Sequence, residues 1–204
     1  MVLYSHSGRR VELLLRMGIN PQICPVNIDE RMNDDIAPTK AVELLALKKL
    51  AAGMQIHPES MDEWGLAADT MVEGPTGMLG KPADEKSATA MIQELSGRTH
   101  KVHSSIAVCR MEKGKSCKIR SLVHTSKVRF RKLSTEEIRS YIRTGEWMDA
   151  AGGYKIQDRG ALLIEHIDGL YSAVMGLPLS PLYGILSAMD YPFGWIQPGV
   201  LRRG

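Results

Sequence analysis

Two hydroxyls and two guanidiniums are clustered near the start of the chain. Ser5 and Ser7 come just before Arg9 and Arg10, at the point where an apolar helical stretch is predicted to begin. Two cations in a first helical turn conflict with the partial positive charge of a helix N-terminus, and a bound anion removes that conflict. The cluster is therefore typical of a polyphosphate cradle. A solvated helix start with outward-pointing arginines is the alternative.

A carboxylate and a hydroxyl, Asp69 and Thr70, follow the apolar run at 65–68. This run predicts a buried strand that ends at these two residues. Open α/β sheets bind ligands at the carboxyl ends of their strands, and an aspartate there can hold Mg²⁺ or accept a proton from water. For a single aspartate, the cap of an ordinary turn is the alternative explanation.

Three further polar residues, Lys81, Glu30 and Gln157, are candidates for a binding site. Lys81 stands between a glycine and a proline, and Glu30 lies in a polar stretch that could supply a second metal-binding carboxylate. Gln157 follows the paired glycines at 152–153, and its amide offers both a donor and an acceptor to a base edge. The alternative for Lys81 is an ordinary surface turn, and for Glu30 it is an acidic residue in a solvated loop. For Gln157 the alternative is a glycine-rich turn without a ligand.

The pattern of apolar residues and turn signals predicts alternating helices and strands. Predicted helices cover 39–50 (closed by a glycine at 53), 84–95 and 136–144, and a last helix follows Pro181; predicted strands cover 65–68, 102–109, 119–130, 162–167 and 172–175. Lys49 emerges from the rim of the packed face of helix 39–50. These elements form one α/β domain with a mixed sheet over 1–204.

Composition narrows the class of protein. The 204 residues are 44% hydrophobic, and 26 basic and 23 acidic residues are interspersed with a net charge of +3, so nucleic-acid binding is a minority interpretation. Cys24, Cys109 and Cys117 are too widely spaced for a disulfide scaffold or a thiolate zinc site. No apolar run approaches the ~18 residues that cross a bilayer. A soluble cytoplasmic protein without membrane contact is expected.

Taken in order, eight short motifs resemble the Maf family of nucleoside triphosphate pyrophosphatases. They are Ser5-x-Ser7-x-Arg9-Arg10-x-Glu12-Leu13-Leu14, Asp29-Glu30, Lys49, Ala68-Asp69-Thr70, Gly80-Lys81-Pro82, Leu95-Ser96-Gly97-Arg98-Thr99-His100, Gly153-Tyr154-x-Ile156-Gln157 and Ile167-Asp168-Gly169 through Gly176-Leu177-Pro178. The resemblance implies an elongated, two-lobed α/β fold with a mixed twisted sheet flanked by helices, similar to inosine triphosphate pyrophosphatases. It also implies a possible homodimer.

The resemblance further implies a role for each matching residue. Asp69, Lys81 and Lys49 are expected to be catalytic, with Asp69 the proton acceptor, and Glu30 and Asp69 to hold Mg²⁺ or Mn²⁺. The expected substrate-binding residues are Ser5, Ser7, Arg9, Arg10, Thr70 and Gln157. The residue types at Arg9, Thr70 and Gln157 resemble the branch that acts on dTTP and UTP, and modified pyrimidine nucleotides are further candidate substrates for such a house-cleaning enzyme.

Three positions depart from the family pattern. Gly8 replaces a proline, Tyr4 replaces a small residue, and Asp158 replaces a glycine. Two other functions remain as alternatives. One is a non-catalytic nucleotide-binding regulator, which the substitutions at Gly8 and Asp158 favour. The other is a DNA-associated module that binds backbone phosphates through Arg9 and Arg10.

Overall fold

The computed structural model describes residues 1–31, 35–56, 64–111 and 117–194. The strands are β1 (Val2–Leu3), β2 (Gln22–Ile23), β3 (Trp64–Glu73), β4 (Met78–Leu79), β5 (Thr99–Arg110), β6 (Lys118–Phe130) and β7 (Ile164–Asp168). The helices are α1 (Gly8–Arg16), α2 (Pro38–Ile56), α3 (Glu85–Leu95), α4 (Thr135–Ile142), α5 (Tyr171–Met175) and α6 (Leu179–Ala188). Two short 3₁₀ turns, Ala151–Gly153 and Arg159–Leu163, precede β7.

The strands form one mixed sheet of seven, in the order β2-β1-β3-β5-β6-β7, with β4 paired to β3. β1 runs parallel to β2 and β3, and the remaining pairs are antiparallel. The predicted mixed α/β sheet flanked by helices is confirmed. The two-lobed outline and the single domain over 1–204 stay predictions.

Strand β3 is longer than the sequence predicts, and this changes the setting of Asp69. The strand pairs with β5 along its whole length, and Asp69 lies opposite Ser105 in the middle of that pairing. The prediction that the strand ends at Asp69 and Thr70 is wrong, because β5 continues to pair with β3 as far as Glu73. The parallel partner β1, however, pairs with β3 only as far as Leu66. Asp69 therefore does lie beyond the carboxyl end of β1, where the sheet opens.

Helices cover both faces of the sheet. On one face α2 packs its Ala46 and Leu50 against Ala67 of β3 and Ala107 of β5, and Tyr4 is fully buried among them. The other face carries the larger core, which side chains of α1, α3, α4, α5 and α6 complete. The sheet is thus fixed from two sides, and its central strands are rigid supports for polar side chains.

Two further predicted elements are wrong in extent or type. Helix α2 runs on to Ile56, so Gly53 lies inside the helix and does not end it. A glycine is needed at this position because a Cβ would stand 2.2 Å from the ring of Tyr4. The predicted strand at 172–175 is part of helix α5, which ends at a left-handed Gly176. The spacing of apolar residues in such a short run is compatible with both a strand and a helix, so the sequence could not determine which of the two forms.

Other predicted elements are confirmed. The predicted strands at 102–109 and 119–130 are β5 and β6, and they pair as an antiparallel hairpin. A polar turn predicted from the sequence at 112–115 lies outside the described residues. Capping boxes at Asp84 and Ser134 begin α3 and α4, and α6 is the helix expected near the end. Within the described residues, the helices are all too short or too polar to cross a bilayer.

Candidate functional site

One cavity of about 1140 Å³ opens where β1 ends and β3 continues. Its lining includes all of the residues singled out from the sequence: Ser5, Ser7, Arg9, Arg10, Glu30, Lys49, Asp69, Thr70, Lys81 and Gln157. They come from α1, α2, β3 and the loops around them, so residues far apart in sequence meet in one place. The volume is slightly larger than that of most small-molecule sites.

Lys49 links the two predicted metal-binding carboxylates. Its Nζ lies 2.5 Å from Oδ1 of Asp69 and 2.7 Å from Oε1 of Glu30. The side chains of Lys49 and Asp69 are only 13% and 11% exposed, whereas Glu30 is 61% exposed. The ammonium therefore neutralises a nearly buried aspartate on β3, and Glu30 closes the arrangement from the solvent side. Among the described residues, Oδ2 of Asp69 has no hydrogen-bond partner.

The two carboxylates fit a hard divalent cation. Glu30 and Asp69 contact the same nitrogen, so the two carboxylates lie near each other at one side of the cavity. The described residues contain no group of three or more acidic, histidine or cysteine side chains that could hold a metal alone. Mg²⁺ is typically held by one or two carboxylates together with phosphate oxygens, so this pair fits an ion that arrives with a phosphorylated ligand.

Arg10 is held by three elements at once. Its guanidinium donates to Oγ of Ser5 at 2.9 Å, to Oγ1 of Thr70 at 3.3 Å and to the carbonyl oxygen of Gly176 at 3.0 Å. Burial lowers the pKa of Arg10, and the charge of Asp69 opposes this shift. Arg10 therefore has a fixed orientation, and it joins α1 to β3 and to the end of α5.

The hydroxyl of Thr70 belongs to the same network. It lies 3.0 Å from Oγ of Ser104, which is fully buried and donates to the carbonyl oxygen of Ala173 at 2.6 Å. Sequence reasoning missed Ser104, because one serine in a long strand gives no signal of its own. The network indicates that Thr70 orients Arg10, in addition to any contact with a base.

Arg9 and Lys81 meet at Asp149, a residue that sequence reasoning also missed. Arg9 donates to the backbone carbonyl of Asp149 at 3.4 Å, and Nζ of Lys81 lies 3.8 Å from its carboxylate. Burial lowers the pKa of Arg9, and Asp158 and Asp149 partly offset that effect. Asp149 has a backbone φ of +57°, which is uncommon for a residue with a side chain.

The start of α1 supplies polar groups without any acidic residue. Ser7 is the N-cap, but its hydroxyl makes no capping hydrogen bond, and the first turn contains no acid. The backbone N–H of Ser7 donates to Oγ of Ser5 at 3.2 Å. The positive end of the helix and its arginines therefore line the cavity without an acidic residue in their own first turn, as expected for an anion site.

Gln157 lies in the wall of the cavity with an unsatisfied acceptor. Its Oε1 is buried and has no hydrogen-bond partner in the part of the chain that the structure describes. A buried polar atom without a partner is costly, and native proteins keep few of them. A ligand that donates a hydrogen bond at this position would remove the cost.

The structure shows the surroundings of all three positions that depart from the family pattern. Tyr4 replaces a small residue because Gly53 and Gly65 leave room for its ring; a Cβ at Gly65 would lie 2.9 Å from Tyr4 Cε2. Gly8 is the first residue of α1, and a Cβ there would meet nothing within 4 Å. Asp158 is exposed and contributes favourable charge to Arg9.

Comparison of sequences matches this chain to one family. Residues 1–189 match the sequence model of the family described as Maf-like protein. A dTTP/UTP pyrophosphatase of Aromatoleum aromaticum is 40% identical over 201 residues, covering 93% of this chain and 95% of that protein. One from Moorella thermoacetica is 41% identical, covering 92% and 93%. A solved structure of a HAM1 protein from Coxiella burnetii covers 92% of this chain and 98% of its own, with a TM-score of 0.45 and 13% identity.

Proposed function

The chain belongs to the Maf family, and on this premise we propose that it is a nucleoside triphosphate pyrophosphatase that hydrolyses dTTP and UTP to the monophosphate and pyrophosphate. The observation that carries the proposal is the convergence of Arg9, Arg10, Lys49 and Lys81 with Asp69 on one cavity. Four cations around one nearly buried carboxylate suit a highly charged anion that is attacked by water.

The triphosphate is bound by the basic side chains and the start of α1. Arg9 and Lys81 lie at the more exposed part of the cavity and can contact the phosphates that leave as pyrophosphate. Arg10 presents a fixed guanidinium deeper in the site, and Ser7 adds a hydroxyl that no cap uses. Preorganised donors of this kind stabilise charge that develops on a leaving group.

Asp69 is proposed as the proton acceptor for water that attacks the α-phosphorus. Lys49 holds Oδ1, so the carboxylate has a fixed orientation, and Oδ2 is the oxygen that receives the proton. Glu30 shares Lys49 with Asp69 and limits the motion of the ammonium. Lys49 is thus placed to orient the base and to neutralise the phosphates.

We also propose that Glu30 and Asp69 hold Mg²⁺ or Mn²⁺. When bound, a divalent ion polarises phosphate oxygens and makes water a stronger nucleophile near neutral pH. The likeness to dTTP/UTP pyrophosphatases supports a uracil or thymine base at Gln157, whose Oε1 can accept the N3–H of either base. A cytoplasmic location and a homodimer belong to the same proposal, as do modified pyrimidine nucleotides as substrates.

The test is to incubate the purified protein with UTP, dTTP, CTP, ATP and GTP, with Mg²⁺ or Mn²⁺, and to measure pyrophosphate and orthophosphate separately. Pyrophosphate from UTP and dTTP is expected. Asp69→Asn keeps the shape of the side chain but accepts protons poorly, so turnover should fall by at least about 10³ while the fold persists. Orthophosphate as the sole product, or ordinary activity in Asp69→Asn, would overturn the proposal.

The same screen addresses the two other functions. A protein that binds UTP but releases no product with either metal would be a nucleotide-binding regulator. Steeply salt-dependent DNA binding without nucleotide hydrolysis would identify a DNA-associated module. No contact among the described residues favours either function over hydrolysis.

A further inference from the structure

The backbone at Asp149 adopts a conformation that most side chains avoid. Its φ is +57°, in the left-handed region, where asparagine, aspartate and glycine are the best tolerated residues. Residues held in this region at a binding site commonly have a function that offsets the strain. Asp149 lies on the cavity wall and is exposed, so the conformation is not forced by burial.

Asp149 engages two of the cavity's cations with two different groups. The backbone carbonyl oxygen accepts a hydrogen bond from Arg9 at 3.4 Å, and the carboxylate lies 3.8 Å from Nζ of Lys81. The side chains of Lys81 and Asp149 are 67% and 89% exposed, so solvent screens the pair and it is weak. The carboxylate is therefore placed to pair with Lys81 and to separate from it readily.

We propose that Asp149 is a built-in competitor for polyphosphate at Arg9 and Lys81, and that its carboxylate speeds the release of pyrophosphate. This rests on the proposed function only in taking pyrophosphate as the product. A phosphate group that approaches Lys81 must displace the Asp149 carboxylate and is also repelled by it. The carboxylate thereby weakens binding of every polyphosphate at this end of the cavity, and it re-forms its pair with Lys81 as the product leaves.

The expected size of the effect follows from the exposure of the pair. Exposed ion pairs contribute little, so removing the carboxylate should tighten binding of pyrophosphate by about twofold to fivefold. The gain should shrink as salt is raised, because the charges lie at the solvent-exposed part of the site. Nucleotides without a β-phosphate should gain little or nothing.

The experiment is isothermal titration of inorganic pyrophosphate and of UMP into the wild-type protein, Asp149→Asn and Asp149→Gly. Both replacements tolerate a positive φ, so the backbone conformation is kept while the charge is removed. Asp190→Asn is the matched control, because Asp190 is also exposed, has a φ of +60° and lies outside the cavity lining. The expected result is tighter pyrophosphate binding in both Asp149 variants, with UMP binding and the control unchanged.

Two outcomes would overturn the proposal. Unchanged pyrophosphate binding in both Asp149 variants would show that the carboxylate does not compete. Weaker UMP binding with unchanged pyrophosphate binding would show that Asp149 contacts the nucleoside instead. Because the titration needs no turnover, a protein that hydrolyses no nucleotide can still support the competition, and an active protein can still contradict it.

Discussion

The amide of Gln157 has a buried acceptor that a uracil or thymine ring can satisfy. Oε1 has no partner among the described residues, and N3 of uracil or thymine donates, whereas N3 of cytosine accepts. We expect Gln157→Ala to lower the ratio of kcat/KM for UTP over CTP by about tenfold to hundredfold, because that hydrogen bond is lost.

Steady-state kinetics with the two nucleotides measures that ratio. Gln93→Ala is the control, since Gln93 is exposed on α3 and outside the cavity lining. A UTP preference that survives in Gln157→Ala would mean that the base is selected elsewhere.

At the scale of residues, the sequence predicted the members of the site better than their contacts. Asp69, Lys49 and Lys81 were found because their neighbours form recognisable short motifs, and they do line one cavity. Asp149 and Ser104 were missed, because their importance lies in a backbone angle and in a cross-strand contact. Neither feature leaves a pattern in the amino-acid sequence.

The hydrogen bonds that connect α1 to β3 and α5 are made by Arg10 and not by its neighbour Arg9. Arg10 donates to three acceptors, whereas Arg9 makes one longer hydrogen bond to Asp149. A lysine cannot reproduce a planar fork of donors, so Arg10→Lys should leave acceptors unpaired. We expect Arg10→Lys to lower Tm by about 3 to 10 °C and activity by about 10², and Arg9→Lys to change Tm by less than about 2 °C.

Thermal unfolding followed by circular dichroism, with UTP turnover on the same samples, compares the two variants. Each substitution keeps the positive charge, so a difference between them reports hydrogen-bond geometry. Equal losses in the two variants would contradict the structural role assigned to Arg10.

At the scale of elements, the sequence predicts features that depend on neighbouring residues better than features that depend on pairing between distant strands. The capping box that begins α4 is such a signal, because it depends only on Ser134 and Glu137, three positions apart. The full length of β3 was not visible, because it depends on β5 as a partner, about 35 residues away. The strand predicted where α5 forms has another cause, because a short apolar run does not distinguish a strand from a helix.

For the whole molecule, the pairing of Glu30 and Asp69 with Lys49 predicts that the fold does not need a metal. Both carboxylates already contact one ammonium, so no uncompensated cluster of negative charge forms without a divalent ion. We expect treatment with a chelator to abolish UTP hydrolysis while Tm shifts by less than about 2 °C. Activity should return with Mg²⁺ or Mn²⁺.

Differential scanning calorimetry and a product assay on one chelated sample make this comparison. Full turnover in excess chelator would contradict the proposed metal role. A fall in Tm of more than about 5 °C would instead show a structural metal.

The central claim, that water attacks the α-phosphorus of a triphosphate bound between Asp69 and the cavity's cations, is tested most directly by hydrolysis of UTP in H₂¹⁸O. Mass spectrometry of the products locates the new oxygen. The structure and the proposed function predict one ¹⁸O atom in UMP and none in pyrophosphate. Label in pyrophosphate, or in orthophosphate released beside UDP, would show that a different phosphorus is attacked and would contradict the account.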